Sequence, residues 1–435
     1  MRVSFYTLGC KVNLNETGAL EHLFLQHGFE LVPEGEEADI YIINSCTVTN
    51  FGDQKSRKWL RKAKRENPTA ITVLTGCYPQ AFPEDAAKVM EADLVCGNTE
   101  RASIIENVKL LMSGHERIVA IKPHAKGELF EELRVERFEC HTRAFIKIED
   151  GCNRQCAYCV IPRARGPVRS RSEENILSEL RNLAAKGYKE VVLSAISLPS
   201  YGTDTGTSLI ELLEQAAEIC GIERIRLGSI DPDMMTDDII TRMSKIRKLC
   251  PQFHLSLQSG CTATLRRMRR VYTAAQFRTV VEKLRAAFGA GNVSFTTDCI
   301  CGFPAESEAD FAESCAFLDE IGFLKVHVFP YSRRSGTPAY DFAGQLCERD
   351  KTARSKQMNE IAEAVRIKQL ARLEGTTDEV LLESSLGGDL FTGYTRLYVP
   401  VLVEAKGHKN GEIVAVQLGI YENGRVNAKI VKKLT

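Results

Sequence analysis

Two stretches of this 435-residue chain alternate short apolar runs with amphipathic segments, and that alternation restricts the fold more than any other feature. Runs at residues 3–8, 39–43, 70–74 and 93–95 are each followed by a helical pattern, at 15–27, 54–65, 84–90 and 101–112. Strands that are apolar throughout, with helices as crossovers between them, build a parallel sheet covered on both faces. The first hundred residues therefore predict an α/β domain with a largely parallel sheet. A second series, at 144–148, 190–194, 224–227, 254–257, 293–298 and 325–329, predicts a partial or complete β/α barrel whose working face is the set of loops after the strands. From about residue 374 the pattern changes to short strands broken by Gly and Asn, as in "FTGYTRLYVPVLVE", which predicts a small β-barrel appended by a helix over 351–372. The expected domains are 1–125, 138–372 and 373–435, with 114–139 as a linker rich in Glu, Lys and His. A chain of this length exceeds what one core normally holds.

Fifteen cysteines sort by position. Cys10, Cys46 and Cys77 each follow a strand and precede the next helix. A parallel sheet brings such turns to one edge, the edge where open α/β folds place their sites, so these three can meet. Cys152, Cys156 and Cys159 crowd the loop "GCNRQCAYC" after the first barrel strand, with no fourth thiol close by. A structural zinc site is closed by four ligands, usually in two pairs, and no second pair stands near. Iron-sulfur clusters are also held by thiolates, and a four-iron cluster with three protein ligands keeps one iron open to a small molecule. Cys96, Cys299 and Cys301 lie in apolar strands and read as core. Cys140, Cys220, Cys250, Cys261, Cys315 and Cys347 have no convergent spacing and read as structural thiols. His254, before an apolar strand, reads as packed or hydrogen-bonded.

The spacing Cys-x3-Cys-x2-Cys, with Tyr158 before the last thiol, resembles the radical S-adenosylmethionine (SAM) superfamily. In that family SAM binds the open iron, and a reduced cluster cleaves it to a 5'-deoxyadenosyl radical. "GCKVN", "NSCTVT" and "TGCYPQ" resemble the N-terminal domain of the methylthiotransferases, where the cysteines hold a second cluster, and the tail resembles a TRAM domain. "GCNRQCAYCVIPRARG" and "FHLSLQSGC" are most similar to the MtaB type, which adds a methylthio group to C2 of N6-threonylcarbamoyladenosine beside the tRNA anticodon.

The resemblance implies two 4Fe-4S clusters, one on Cys152, Cys156 and Cys159 and the other on Cys10, Cys46 and Cys77. It also implies SAM as both radical source and methyl donor, tRNA, a reductant protein of the flavodoxin or ferredoxin type, and a sulfur donor. Tyr158, Ser229 and Gln258 fall where family members line the SAM pocket. The chain departs from the family pattern in "LSAISLPSYG", with Ala195, Ser197 and Pro199 where relatives carry Gly, His or Asn, and Gly. "CGFPAES" likewise has Ala305 and Ser307 for Gly and Thr. Two alternatives stay open: a methylthiotransferase acting on isopentenyladenosine in tRNA or on a ribosomal-protein aspartate, and a non-catalytic RNA-binding iron-sulfur protein.

Formal net charge is zero, so attraction to RNA has to come from local patches. "QKSRKWLRKAKR" at 54–65 carries seven basic residues and Trp59, an aromatic able to stack on a base, and "LRRMRR" adds four arginines by the barrel mouth. Tyr394, Arg396, Tyr398 and Lys429 are further candidates in the tail. No stretch is long and apolar enough to span a bilayer, and the expected compartment is the cytoplasm, without membrane association.

Overall fold

In the computed structural model, residues 1–125, 127–133, 135 and 142–431 are described. Cys140 lies outside these residues. Six parallel strands open the fold: β1 (Arg2–Thr7), β2 (Glu30–Val32), β3 (Ile40–Ser45), β4 (Ile71–Gly76), β5 (Leu94–Cys96) and β6 (Ile118–Ala120), in the spatial order β2-β1-β3-β4-β5-β6. Every residue of β3 is buried, as expected of a central strand with helices on both faces. The sequence pattern revealed four of the six. β2 and β6 are three-residue edge strands, too short to carry a period. β6 falls within the segment read as a linker and pairs with β5 from Leu94↔Ile118, so part of that segment is sheet edge.

The centre of the molecule is an open arc of parallel strands: β7 (Arg143–Asp150), β9 (Glu190–Ala195), β10 (Arg224–Leu227), β11 (Ser229–Ile230), β12 (Gln252–Leu255), β13 (Ser294–Cys301) and β14 (Lys325–Pro330). The short β8 (Arg169–Ser170) runs antiparallel along β7 and was not anticipated. The hydrogen-bond ladder breaks between β10 and β11, where the chain passes through Gly228. β14 does not pair with β7 among the described residues, so the barrel is partial. The N-terminal unit bridges that gap. On one side Asn15 Nδ2 donates to the Phe145 carbonyl in β7 at 2.6 Å. On the other, the Asn50 amide donates to Ser332 Oγ at 3.1 Å, just beyond β14.

The last strands, β15 (Thr377–Gly387), β16 (Leu390–Thr395), β17 (Pro400–Glu404), β18 (Ile413–Glu422) and β19 (Arg425–Ile430), close into a barrel ordered β15-β16-β17-β19-β18. The helix Glu348–Ala371 leads to it. Its β16–β17 loop stops the lower end of the arc, where the parallel strands begin. Arg226 donates to the carbonyls of Arg396 and Thr395, both at 3.1 Å, while Glu190 balances it at 2.9 Å. Tyr394 and Tyr398 stack at 4.5 Å between ring centres, with the Arg143 guanidinium over both. Arg396 donates to the Arg247 and Leu249 carbonyls. These three residues, expected to contact RNA, are therefore committed to an internal joint; Lys429 remains exposed.

Cys96, Cys299 and Cys301 are buried, as are Cys250, Cys261 and Cys315, while Cys220 and Cys347 are exposed. His254 hydrogen-bonds Thr296 Oγ1 through Nδ1 at 3.0 Å and faces Asp298 through Nε2 at 3.4 Å. Ala305 sits at φ +59°, in the left-handed region that disfavours a side chain by about 1–2 kcal/mol. Glycine, the residue that the family resemblance leads us to expect there, would adopt this conformation without that cost. Ala305→Gly is expected to stabilise the protein by about 1 kcal/mol, read as a raised midpoint in urea unfolding.

Candidate active site

Cys10, Cys46 and Cys77 directly follow the carboxyl ends of three neighbouring strands or the turns they feed. Ser45 pairs with Gly76 across β3 and β4, so Cys46 and Cys77 leave the sheet side by side. Cys10 caps the helix Lys11–Gln26 beside them. Gly9, at φ +109°, lies so close that a Cβ there would stand 2.9 Å from Cys46 Cβ and 3.1 Å from its Sγ. Asn13, one turn into the helix, braces the group: its Nδ2 donates to the carbonyls of Leu8 (2.8 Å) and Ser45 (3.0 Å). Its Oδ1 faces Cys10 Sγ at 3.8 Å and Cys77 Sγ at 4.0 Å. Burial raises the Cys46 thiol to about 12, and the neighbouring Cys77 pushes the same way. Burial raises the Cys77 thiol as well, so as bare thiols Cys46 and Cys77 would stay protonated, and a cationic centre would be needed to hold them as thiolates.

The second set lies in the irregular loop after β7. The Cys152 amide donates to the Gly166 carbonyl at 3.0 Å, Ala157 to Met268 at 2.9 Å and Cys159 to Cys156 at 3.1 Å. The loop is thus tied to two other parts of the chain and braced once within itself. Burial raises Cys159 to about 12, with Cys156 and Cys152 adding to the rise. Among the described residues no three His, Cys, Asp or Glu side chains converge as a single metal ion requires. A four-iron cluster takes its thiolates at separate iron corners. Three thiols without a fourth donor fit that group in both places, and at the first set Gly9 adds a cradle against Cys46.

One cavity of about 420 Å³ joins the two sets. Gly9, Cys10 and Cys46 line one side, Tyr158 and Cys159 the other, and Gln258, Asp298 and Ile300 come from the barrel. Gln258 is held at φ +67°, a strained conformation that is common at functional sites. Ser229, the third residue assigned to SAM, is exposed at the start of β11 and is not among the residues lining this cavity. At the departed second-strand motif, the Ser197 amide donates to Glu149 Oε2 at 2.8 Å. Burial pushes the Glu149 carboxyl well above its ordinary range.

The residues that sequence reasoning missed form a buried ionic knot behind the first cysteine set. Arg165, fully enclosed, donates through Nε to Cys77 Sγ at 3.2 Å and through Nη2 to Asn13 Oδ1 at 2.7 Å, and it pairs with Glu16 and with Asp150. Lys147 reaches Glu16 at 2.7 Å and Asp150 at 2.5 Å, and Arg101 reaches Glu16 at 2.8 Å. Only the "RARG" tail of the cysteine motif signalled Arg165. Likewise, Arg334 from the loop after β14 donates to Thr47 Oγ1 at 2.6 Å and pairs with Asp53 at 2.7 Å, locking the segment that follows Cys46.

Residues 2–97 match the model of "Uncharacterized protein family UPF0004" and residues 146–318 that of the radical SAM superfamily. The chain is 36% identical to a Bacillus subtilis protein named threonylcarbamoyladenosine tRNA methylthiotransferase MtaB, over 96% of this chain and 93% of that one. It is 41% identical to the Aquifex aeolicus protein of the same name, over 83% and 88%. A Carboxydothermus hydrogenoformans protein named tRNA-2-methylthio-N(6)-dimethylallyladenosine synthase is 33% identical over 95% and 96%. Among solved structures, the radical SAM methyltransferase TsrM from Kitasatospora setae shares the fold, with a TM-score of 0.57 at 13% identity over 78% of this chain and 76% of that one.

The knot has a pH signature. Burial alone would raise the Glu16 carboxyl, but Arg101, Arg165 and Lys147 hold it down at about 2. Asp150 is held well below its usual range by Lys147, Arg165 and Arg169 against the same burial. Both carboxyls titrate lower folded than unfolded, so their stabilisation is complete above an unfolded value near 4 and is lost as pH falls towards 2. For Glu16 that amounts to roughly 3 kcal/mol. Urea unfolding is expected to weaken between pH 5 and 2. In Glu16→Gln the acid slope flattens, and stability at pH 7 falls by about 3–5 kcal/mol because buried cations lose their partner.

Proposed function

This chain belongs to the radical SAM methylthiotransferases, and we propose that it places a methylthio group on C2 of N6-threonylcarbamoyladenosine beside the anticodon of tRNA. Identity of 35–41% to relatives named for that nucleoside, against 33–35% to those named for the dimethylallyl compound, favours this substrate. The observation that carries the chemistry is a cavity lined by Cys10 and Cys46 of one set and Cys159 of the other. Cys152, Cys156 and Cys159 would hold a 4Fe-4S cluster, which together with SAM would supply the radical chemistry. Cys10, Cys46 and Cys77 would hold a second cluster that carries the sulfur to be transferred.

The chain's own residues then position and exclude. Val160, Ile161, Ile300, Phe329 and Pro330 give the cavity an apolar wall that keeps water from reactive species. Tyr158 and Gln258, which line the cavity, would face SAM there. A flavodoxin- or ferredoxin-type protein supplies electrons, a separate donor replaces sulfur, and the cytoplasm suits both the thiols and the RNA. No helix among the described residues is long and apolar enough to cross a membrane.

For RNA, the helix Asn50–Glu66 starts at the cavity mouth, where Val48 and Phe51 are 53% and 71% exposed. Lys55, Lys58, Lys62 and Arg65 continue from Phe51 along one exposed face. Lys62 also lies 3.9 Å from Glu66 on the same helix, while Arg61 and Lys64 pair with Glu91 and Asp93. Trp59, expected to stack on a base, is stacked on Tyr6 at 4.6 Å, so Phe51 takes that role.

Three measurements test this reading. Anaerobic reconstitution should give about eight irons and eight sulfides per chain, as two four-iron clusters require. Cells lacking the gene should lose the methylthio derivative of threonylcarbamoyladenosine from tRNA, by nucleoside mass spectrometry; loss of the isopentenyl derivative instead would reassign the substrate. Lys58→Ala and Arg65→Ala should each weaken anticodon-arm binding, lowering the slope of log K against log salt by about one.

A further inference from the structure

In each cysteine set one sulfur accepts a hydrogen bond from a buried arginine that belongs to another element. Arg165 Nε stands 3.2 Å from Cys77 Sγ. Its remaining nitrogens are fixed by Glu16, Asp150 and Asn13. Arg270 repeats the arrangement: Nη1 stands 3.2 Å from Cys156 Sγ, Nε donates to Tyr272 Oη at 3.0 Å and Nη2 pairs with Asp231. In both cases the tied nitrogens leave one N–H aimed at sulfur. A neutral thiol is a weak acceptor, and burying a cation for its sake gains little. A thiolate on a metal cluster gives the N–H a charged acceptor, and such bonds are among the strong ones.

We propose that Arg165 and Arg270 set the reduction potentials of the two clusters, each through one N–H···S bond. This rests on the reading that Cys77 and Cys156 are cluster ligands. Reduction adds one electron, taken from the reductant protein, and no proton, so negative charge on the ligand sulfurs increases. A cationic donor fixed against sulfur favours that state, as hydrogen bonds to cluster sulfurs do in general. Losing one such bond should disfavour reduction about tenfold, equivalent to about 59 mV for a one-electron couple. Arg165 also joins the first cysteine set to Asp150, two residues before Cys152, so this potential would depend on correct docking of the two units.

The test uses wild-type protein labelled with ¹⁵N-arginine, reconstituted, assayed for iron and reduced with dithionite. Pulsed EPR should detect ¹⁵N coupling at both clusters. A Cys10→Ala/Cys46→Ala/Cys77→Ala form should retain only the coupling from Arg270. In redox titrations, Arg165→Gln should lower one potential and Arg270→Gln the other, each by about the stated amount and without moving its counterpart. Full iron content with no ¹⁵N coupling in the wild type overturns the proposal, as do unmoved potentials in variants that keep their iron. Wild-type iron short of two clusters overturns the underlying cluster reading instead.

Discussion

The architecture turns on a guanidinium buried between two units. Arg165 belongs to the segment that follows the second cysteine set, yet its partners Glu16, Asn13 and Cys77 belong to the N-terminal unit. A buried cation is tolerable only when carboxylates surround it, and a buried carboxylate only when cations do. Glu16 and Asp150, interleaved with Lys147, Arg101 and Arg165, satisfy both conditions at once. Hydrophobic burial alone would let the two units slide. Directional bonds among five enclosed charges fix the relative position of the cysteine sets and thus the shape of the cavity between them.

The family was legible in the sequence because its motifs are local. A Cys-x3-Cys-x2-Cys loop needs neighbouring ligands, and cysteines at strand ends follow from strand order alone. The supporting residues were not legible, because a lone Glu16 or Asn13 in an amphipathic helix reads as an ordinary polar position. Their roles arise from partners more than a hundred residues away. Trp59 failed for a related reason: it sits amid basic residues in sequence, yet the helix turns it inward onto Tyr6. The three-residue edge strands escaped because a period cannot be read from one and a half repeats.

The small C-terminal barrel shows how an exposed-looking composition misleads. The end of β16 and the loop after it, with two tyrosines and an arginine, have the makeup of an RNA-binding surface. Here Arg143, Arg224 and Arg226 at the strand starts present unsatisfied donors, and the loop supplies carbonyls and ring faces to meet them. The last unit thereby seals the base of the arc, leaving the opposite, loop-bearing face for substrate.

That joinery also bears on how the polypeptide matures. The bond from Arg165 to Glu16 spans 149 residues, Arg334 to Thr47 spans 287 and Arg226 to Thr395 spans 169. Contacts so distant close large loops and form late, which slows the search for the native state. During synthesis the first sheet emerges with its thiols positioned but its ionic partners not yet made. A nascent chain caught before that closure would present the oxidisable sulfur of Cys10, Cys46 and Cys77 to the cell.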